Sequence, residues 1–327
     1  MFYGASALSD LNKCAIHTSF SSNENWPYDW DEFCAAYTNV PDDNFEQALI
    51  DLSYDDVLNN FVLTENISGV TSLDVGSKSI SDLTGIEDFT ALGYLHCNDN
   101  QLTSLDVSAN TALVELRCNN NQLTSLDVSN NLDLENLDCA NNQLTNLDVS
   151  SNTSLTSLNV EGNQLTSLDL STNTFLTQLI CANNQLTSLD VSSNTALTNL
   201  ECANNQLTSL DVSNNLDLEN LGCGLNQLTS LDVSSNTALT GLYCDDNQLT
   251  SLNLSANTAL TNINCGSNQL IHLNMKNGAT DQLAQFDATD NSLDCIEVNE
   301  EDVDWATENW TYENGNIDIE VEFSVVC

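Results

Sequence analysis

The chain has 327 residues, of which 48 are acidic and four basic (Lys13, Lys78, Arg117, Lys276), for a formal net charge of −44. That balance excludes a basic footprint for nucleic acid or an anionic membrane, and no apolar run of about eighteen residues is present to span a bilayer. It fits a protein that faces salt, where screening relieves self-repulsion.

The chain starts MFYGASALSD, without the basic and apolar regions of a signal peptide, so either a cytosolic protein or a mature, trimmed form is expected. Residues 1–40 hold Cys14 and Cys34 among Trp26, Tyr28, Trp30 and Phe33, as a small disulfide-stapled pad would. PDDNFEQALIDL, residues 41–52, reads as a short helix: its acidic start suits the helix dipole, and Phe45, Leu49 and Leu52 share a face. Residues 1–62 are therefore expected to form an N-terminal cap.

An internal repeat fills residues 63–298. Cys97, Cys118, Cys139, Cys181, Cys202, Cys223, Cys244 and Cys265 recur at a period of about 21, with Val160 at the vacant step. Aligned on that period the phrase is LxxLxCxxNxL, the leucine-rich repeat pattern, in which a strand carries LxxLxC and an asparagine turns the chain. That asparagine column runs without a gap from Asn100 through Asn121 and Asn205 to Asn291. A buried amide there can bond both donors and acceptors that the bend leaves unpaired.

The other half of each repeat reads LTSLDVSSN and ends on a second column, Asn110 to Asn257. The expected fold is a leucine-rich repeat solenoid of about eleven coils, ~50 Å long at ~4.8 Å per coil and low in curvature. It has a parallel β-sheet on one side, short extended or 3-10 segments on the other, and caps at both ends. VSNNLDLENLDC and VSNNLDLENLGC start at residues 128 and 212, four periods apart, which points to duplication of a four-coil block.

Residues 299–327 are expected to form a C-terminal β cap. IDIEVEFSVVC alternates apolar and polar residues, Ile317 to Val325, as a closing strand does, and Cys327 is placed to tie it to Cys295.

With Cys in the strand and NQLTSLDVS between, the phrase resembles the bacterial cysteine-ladder leucine-rich repeat proteins of the internalin J type. It resembles more closely the secreted leucine-rich repeat proteins of marine Bacteroidetes. PDDNFEQALIDL followed by NISGVTSLDV and ISDLTGIEDFTAL is similar to the start of the latter, and LDCIEV with a terminal Cys to their finish. The likeness covers residues 40–327. It implies a secreted or surface adhesion and interaction protein without catalysis, in a mature form lacking its signal peptide. An LPxTG motif and a sorting domain are absent, which fits a released form.

Each column has a plain reading beside a sharper one. The eight ladder cysteines read as small apolar filler, as Val160 supports; they lack ligand spacing for a metal. The aspartates Asp106, Asp127, Asp148, Asp169, Asp190, Asp211 and Asp232 stand about one strand spacing apart and repel. Either cations such as Ca2+ bridge them, or the side chains bond nearby backbone and Ser while salt screens the rest. Asn253 and Asn274 replace Asp without disturbing the phrase, which favours hydrogen-bond shape over charge. The threonines from Thr103 to Thr250 form a hydroxyl row like that of ice-binding solenoids, though acidic residues flank it.

Variation marks the candidate binding face. The outward positions of the LxxLxC strands change from coil to coil, and Tyr94, His96, Arg117, Asp138, Gln178, Ile180, Glu201 and Tyr243 are the candidate ligand-binding residues. They suit a protein or carbohydrate partner at a cell surface; drift on an idle solvated face is the plain alternative. The three histidines, His17, His96 and His272, sit in no catalytic or metal motif, so no enzyme is expected. The second function class is a structural or environmental protein, cation-associated or ice-binding, that uses its regular Asp and Thr rows. If the acidic surface is matched to salt, the melting temperature rises with NaCl and CaCl2; a flat response in a thermal-melt series would remove the saline reading.

Overall fold

A computed structural model describes residues 8, 10–20 and 36–327. The chain divides into two compact units, residues 1–133 and 134–327. Cys34 and the aromatics at 26, 28, 30 and 33 lie outside the described residues.

In the first unit, helix α1 (Asp10–Phe20) precedes β1 (Tyr37–Asn39), which pairs antiparallel with β2 (Phe61–Leu63). Between them runs α2 (Asp43–Asp51). It begins where Asp42 takes N–H donors from Asn44 and Phe45 at 2.9 and 3.0 Å, satisfying two of the first-turn amides that a helix leaves open. Phe45 and Leu49 are fully buried, but Leu52, expected on the same face, caps the C-terminus and is exposed. The other Asp42 oxygen accepts from the N–H and hydroxyl of Ser81 and the N–H of Asp82, fastening the cap to the first coil. Helix α3 (Thr64–Ile67) leads into β3 (Ser72–Asp74), which opens a parallel ladder with β4 (Tyr94–His96) and β5 (Glu115–Arg117).

The second unit holds β6 (Asn136–Asp138), β7 (Ser157–Asn159), β8 (Gln178–Ile180), β9 (Asn199–Glu201), β10 (Asn220–Gly222) and β11 (Gly241–Tyr243). Each pairs parallel and in register with the next; β13 (Asn262–Asn264) and β15 (Gln285–Asp287) continue the ladder. Three-residue strands suffice because the middle residue faces a core of stacked leucines and the asparagines pair the backbone of the turn. Asn205 is representative: its Nδ2 donates to the carbonyls of Cys181, Cys202 and Ala203, and its Oδ1 accepts from Leu186 N–H at 2.9 Å. The second column works from the other side. Asn215 Nδ2 donates to the carbonyls of Val191 and Asn194 at 3.1 and 2.8 Å.

The opposite side of the second unit is mostly extended without ladder bonds, but it becomes a parallel sheet at β12 (Ser251–Asn253), β14 (His272–Asn274), β16 (Cys295–Glu297) and β17 (Glu322–Ser324). That sheet starts where Asn253 and Asn274 replace aspartate, so neutral amides stack where carboxylates would repel.

The C-terminal segment differs from the expected β cap. Helix α4 (Val303–Asn309) precedes it, and only Glu322–Ser324 forms a strand. The stretch before it closes the main ladder instead: Asn316 bonds the backbone of Phe286 and Ala288, and the Asp318 carboxylate accepts from Asp290 and Asn291 N–H at 2.9 Å each. The expected single apolar side is split accordingly, with Ile317 5% exposed and Ile319 70%. One segment serves two sheet edges, and positive φ at Gly315 and Glu320 makes the bends.

The residue before each turn asparagine has positive φ: Asp99, Asn120, Asn141, Gly162, Asn183, Asn204 and Asp246 tolerate that conformation. Leu225, at φ 53° and half exposed, does not. Leu225→Asn is expected to stabilise the protein by about 1 kcal/mol in urea denaturation; a loss of stability would contradict the left-handed assignment.

Candidate functional site

The strand-face residues fall in both units. In the first, β4 and β5 place Tyr94 opposite Glu115 and His96 opposite Arg117. Glu115 Oε1 is 2.8 Å from His96 Nε2 and accepts from Arg117 Nε at 2.7 Å. Glu115 is only 16% exposed against 53% for Arg117, so the acid is held under a guanidinium whose remaining donors face solvent. Tyr94, 46% exposed, stands beside it. The outward column already sets Glu115 beside Arg117 as a surface ion pair; the bond from Glu115 to His96 on the neighbouring strand is what only the structure shows.

In the second unit the outward residues are Asp138 on β6, Gln178 and Ile180 on β8, Glu201 on β9 and Tyr243 on β11, all half-buried. Asp138 accepts from Ala140 N–H, and Gln178 Oε1 accepts from the Ser157 hydroxyl at 3.2 Å. Glu201, Gly222 and Tyr243 stand in one row across β9, β10 and β11. The Glu201 carboxylate lies where a Gly222 Cβ would be, so any larger residue there would displace it. Gly241 makes similar room for Asn220 Oδ1 and the edge of the Tyr243 ring. Burial, and then the nearby Glu161, push the Glu201 carboxyl above the ordinary carboxylate range. Gly222 and Gly241 read in the sequence as column members; their role as a seat for these side chains needed the cross-strand register.

The aspartate row has another geometry. Asp106, Asp127, Asp148, Asp169, Asp190, Asp211 and Asp232 each accept, through Oδ1, the N–H of the serine two residues on, at 2.9–3.0 Å. The hydroxyls and N–H groups of Ser192 and Ser213 hold Asp190 and Asp211 below the usual carboxylate range. Among the described residues, no group of three or more His, Cys, Asp or Glu side chains is placed to hold a metal.

All eight ladder cysteines are buried. Burial pushes Cys97, Cys181, Cys223 and Cys265 up to about 12, far from a reactive thiolate. Outside the ladder, Cys14 is disulfide-bonded and Cys295 is bonded to Cys327.

These features define a cysteine-ladder leucine-rich repeat protein, internalin-like in fold. The chain is 43% identical over 71 residues to Internalin J of Listeria monocytogenes serotype 4b (strain F2365), a match covering 22% of this chain and 8% of that protein. Its structure is similar to the functional domain of InlJ from Listeria monocytogenes, described as including a cysteine ladder: TM-score 0.77, 37% identity, 88% of this chain and 62% of that one. The Listeria internalin InlF shares the fold, with TM-score 0.67 and 22% identity over 88% of this chain and 92% of its own. The chain thus spans a small part of full-length Internalin J and somewhat under two thirds of the InlJ domain structure. No protein-family profile matches it. Among the described residues, no helix is long and apolar enough to cross a membrane.

A thiol whose folded pKa is raised holds its proton more tightly than in the unfolded chain. Its contribution is complete below the unfolded value, 9.0, and is lost as pH rises toward about 12. The urea midpoint is therefore expected to fall between pH 9 and 12, and less steeply in a Cys181→Val/Cys223→Val variant; equal slopes would remove the thiols as the cause.

Proposed function

We propose that the protein is a non-enzymatic recognition or adhesion protein, secreted or displayed at a cell surface, that binds a protein or carbohydrate through the outward positions of its LxxLxC strands. One observation carries this reading. Within each unit the core columns repeat while the solvent-facing pair on each strand changes, so a rigid, in-register frame presents varied side chains at fixed spacing. Rigid sheets lower the ordering cost of binding, and tyrosine and arginine supply contact area and directed donors. The likeness to Internalin J and the InlJ domain supports a surface setting, and carboxamides with Tyr243 suit sugar hydroxyls or a polar protein face.

In the first unit the reading assigns Tyr94 and the free edge of Arg117 to contact, with Glu115 and His96 positioning the guanidinium. In the second it assigns Tyr243, Glu201, Gln178, Ile180 and Asp138. The test is binding of the labelled protein to a glycan array and to a panel of immobilised extracellular protein domains. Tyr94→Ala/Arg117→Ala and Tyr243→Ala are each expected to weaken a hit by about tenfold or more; binding unchanged in both variants would discard the strand-face assignment.

A further inference from the structure

The C-terminal end of the second unit carries a feature that the strand-face reading does not use. Among the described residues, strand β17 is the outermost member of the four-stranded sheet and pairs on one side, with β16. Glu322 donates its N–H to Asp294 O, and Ser324 O accepts from Val298 N–H, both at 3.0 Å. In such a ladder alternate residues address the partner strand, so the N–H and C=O of the intervening Phe323 point away from β16 along an open edge. The Cys295–Cys327 disulfide ties the segment after β17 to β16 and holds this edge in place.

Beside the edge lies a cavity of about 520 Å3. Its apolar floor is Trp310, Ile317 and Phe323; Trp310 is 4% exposed and is stacked on Phe286 at 4.0 Å between ring centroids. Its rim carries Glu313, Glu320 and Glu322, all exposed, and no lining residue is basic. Asp318 also lines it, but its carboxylate is engaged by two backbone N–H groups. Ile319 and Val326 are 70% and 76% exposed nearby. An edge strand next to an apolar hole is what a further strand with inward apolar side chains would complete. The carboxylates determine which strand that can be. A second copy of this chain, at net charge −44, would bring more carboxylates to the rim and is repelled.

We propose that β17 is a docking edge for an extended basic segment of a partner protein. That segment adds as a strand along β17, sets an apolar side chain over Trp310 and Phe323, and pairs Lys or Arg residues with Glu313, Glu320 and Glu322. The surface is separate from the variable strand faces, and the proposal stands whether or not those faces bind.

The probe is a synthetic peptide, Ac-KVKIKVK-amide, titrated into the full chain by calorimetry at physiological ionic strength. It is expected to bind, and Ac-EVEIEVE-amide is not. Glu320→Lys/Glu322→Lys is expected to weaken binding by about tenfold or more, while Asp190→Lys/Asp211→Lys, the same charge change on the remote aspartate row, leaves it within about twofold. N-methylation of alternate peptide residues, which blocks strand pairing without touching the protein, is expected to abolish binding. Equal losses in the two double variants would reduce the effect to general attraction by a polyanion. Full binding by the N-methylated peptide, tight binding by the acidic one, or no binding by the basic one would each overturn the proposal.

Discussion

The structure depends on the carboxamide of a buried asparagine. A three-residue strand followed by a sharp bend leaves carbonyls and N–H groups facing inward without partners, and each such group costs about 1–3 kcal/mol if left so. In the first asparagine column one side chain answers carbonyls of its own coil and of the coil before, and accepts an N–H from the latter. Turn and stacking are thereby the same interaction. The leucine layers supply most of the driving force, as buried apolar surface does generally, but they set no register along the chain axis. The amides do.

That coupling explains why so much of the fold can be read in the sequence. When each residue meets its counterpart one coil away, periodicity in the text is contact in space, and the 21-residue spacing of Leu, Cys and Asn already states the strand pairing Tyr94↔Glu115 or Leu200↔Leu221. The ends were less legible because the coupling stops there. Ile317 to Val325 alternates like one strand, yet the last main-ladder strand and the last second-side strand both needed covering, and the chain divided the segment between them. Helix α4 was missed because only its packed neighbours, Trp310 and Phe286, explain its place.

The candidate site was legible as a location rather than as chemistry. Columns of outward residues follow from strand periodicity alone, whereas the grip of Glu115 on His96 depends on side-chain reach between adjacent strands. The same holds for Glu201 over Gly222, where a missing side chain leaves the carboxylate its place. A column reading counts what each position carries; an interface also depends on what its neighbours leave room for.

The close repetition between the blocks beginning at residues 128 and 212 has a consequence for how such a protein changes over generations. Near-identical coding stretches invite unequal exchange, and because every coil offers its neighbours the same amides and leucines, a product longer or shorter by whole periods meets the same contacts at its seams. Neither cap need adapt. The outward strand face can therefore gain or lose entire rows in one event and refine them afterwards by single substitutions, while the frame beneath accepts both at little cost to folding.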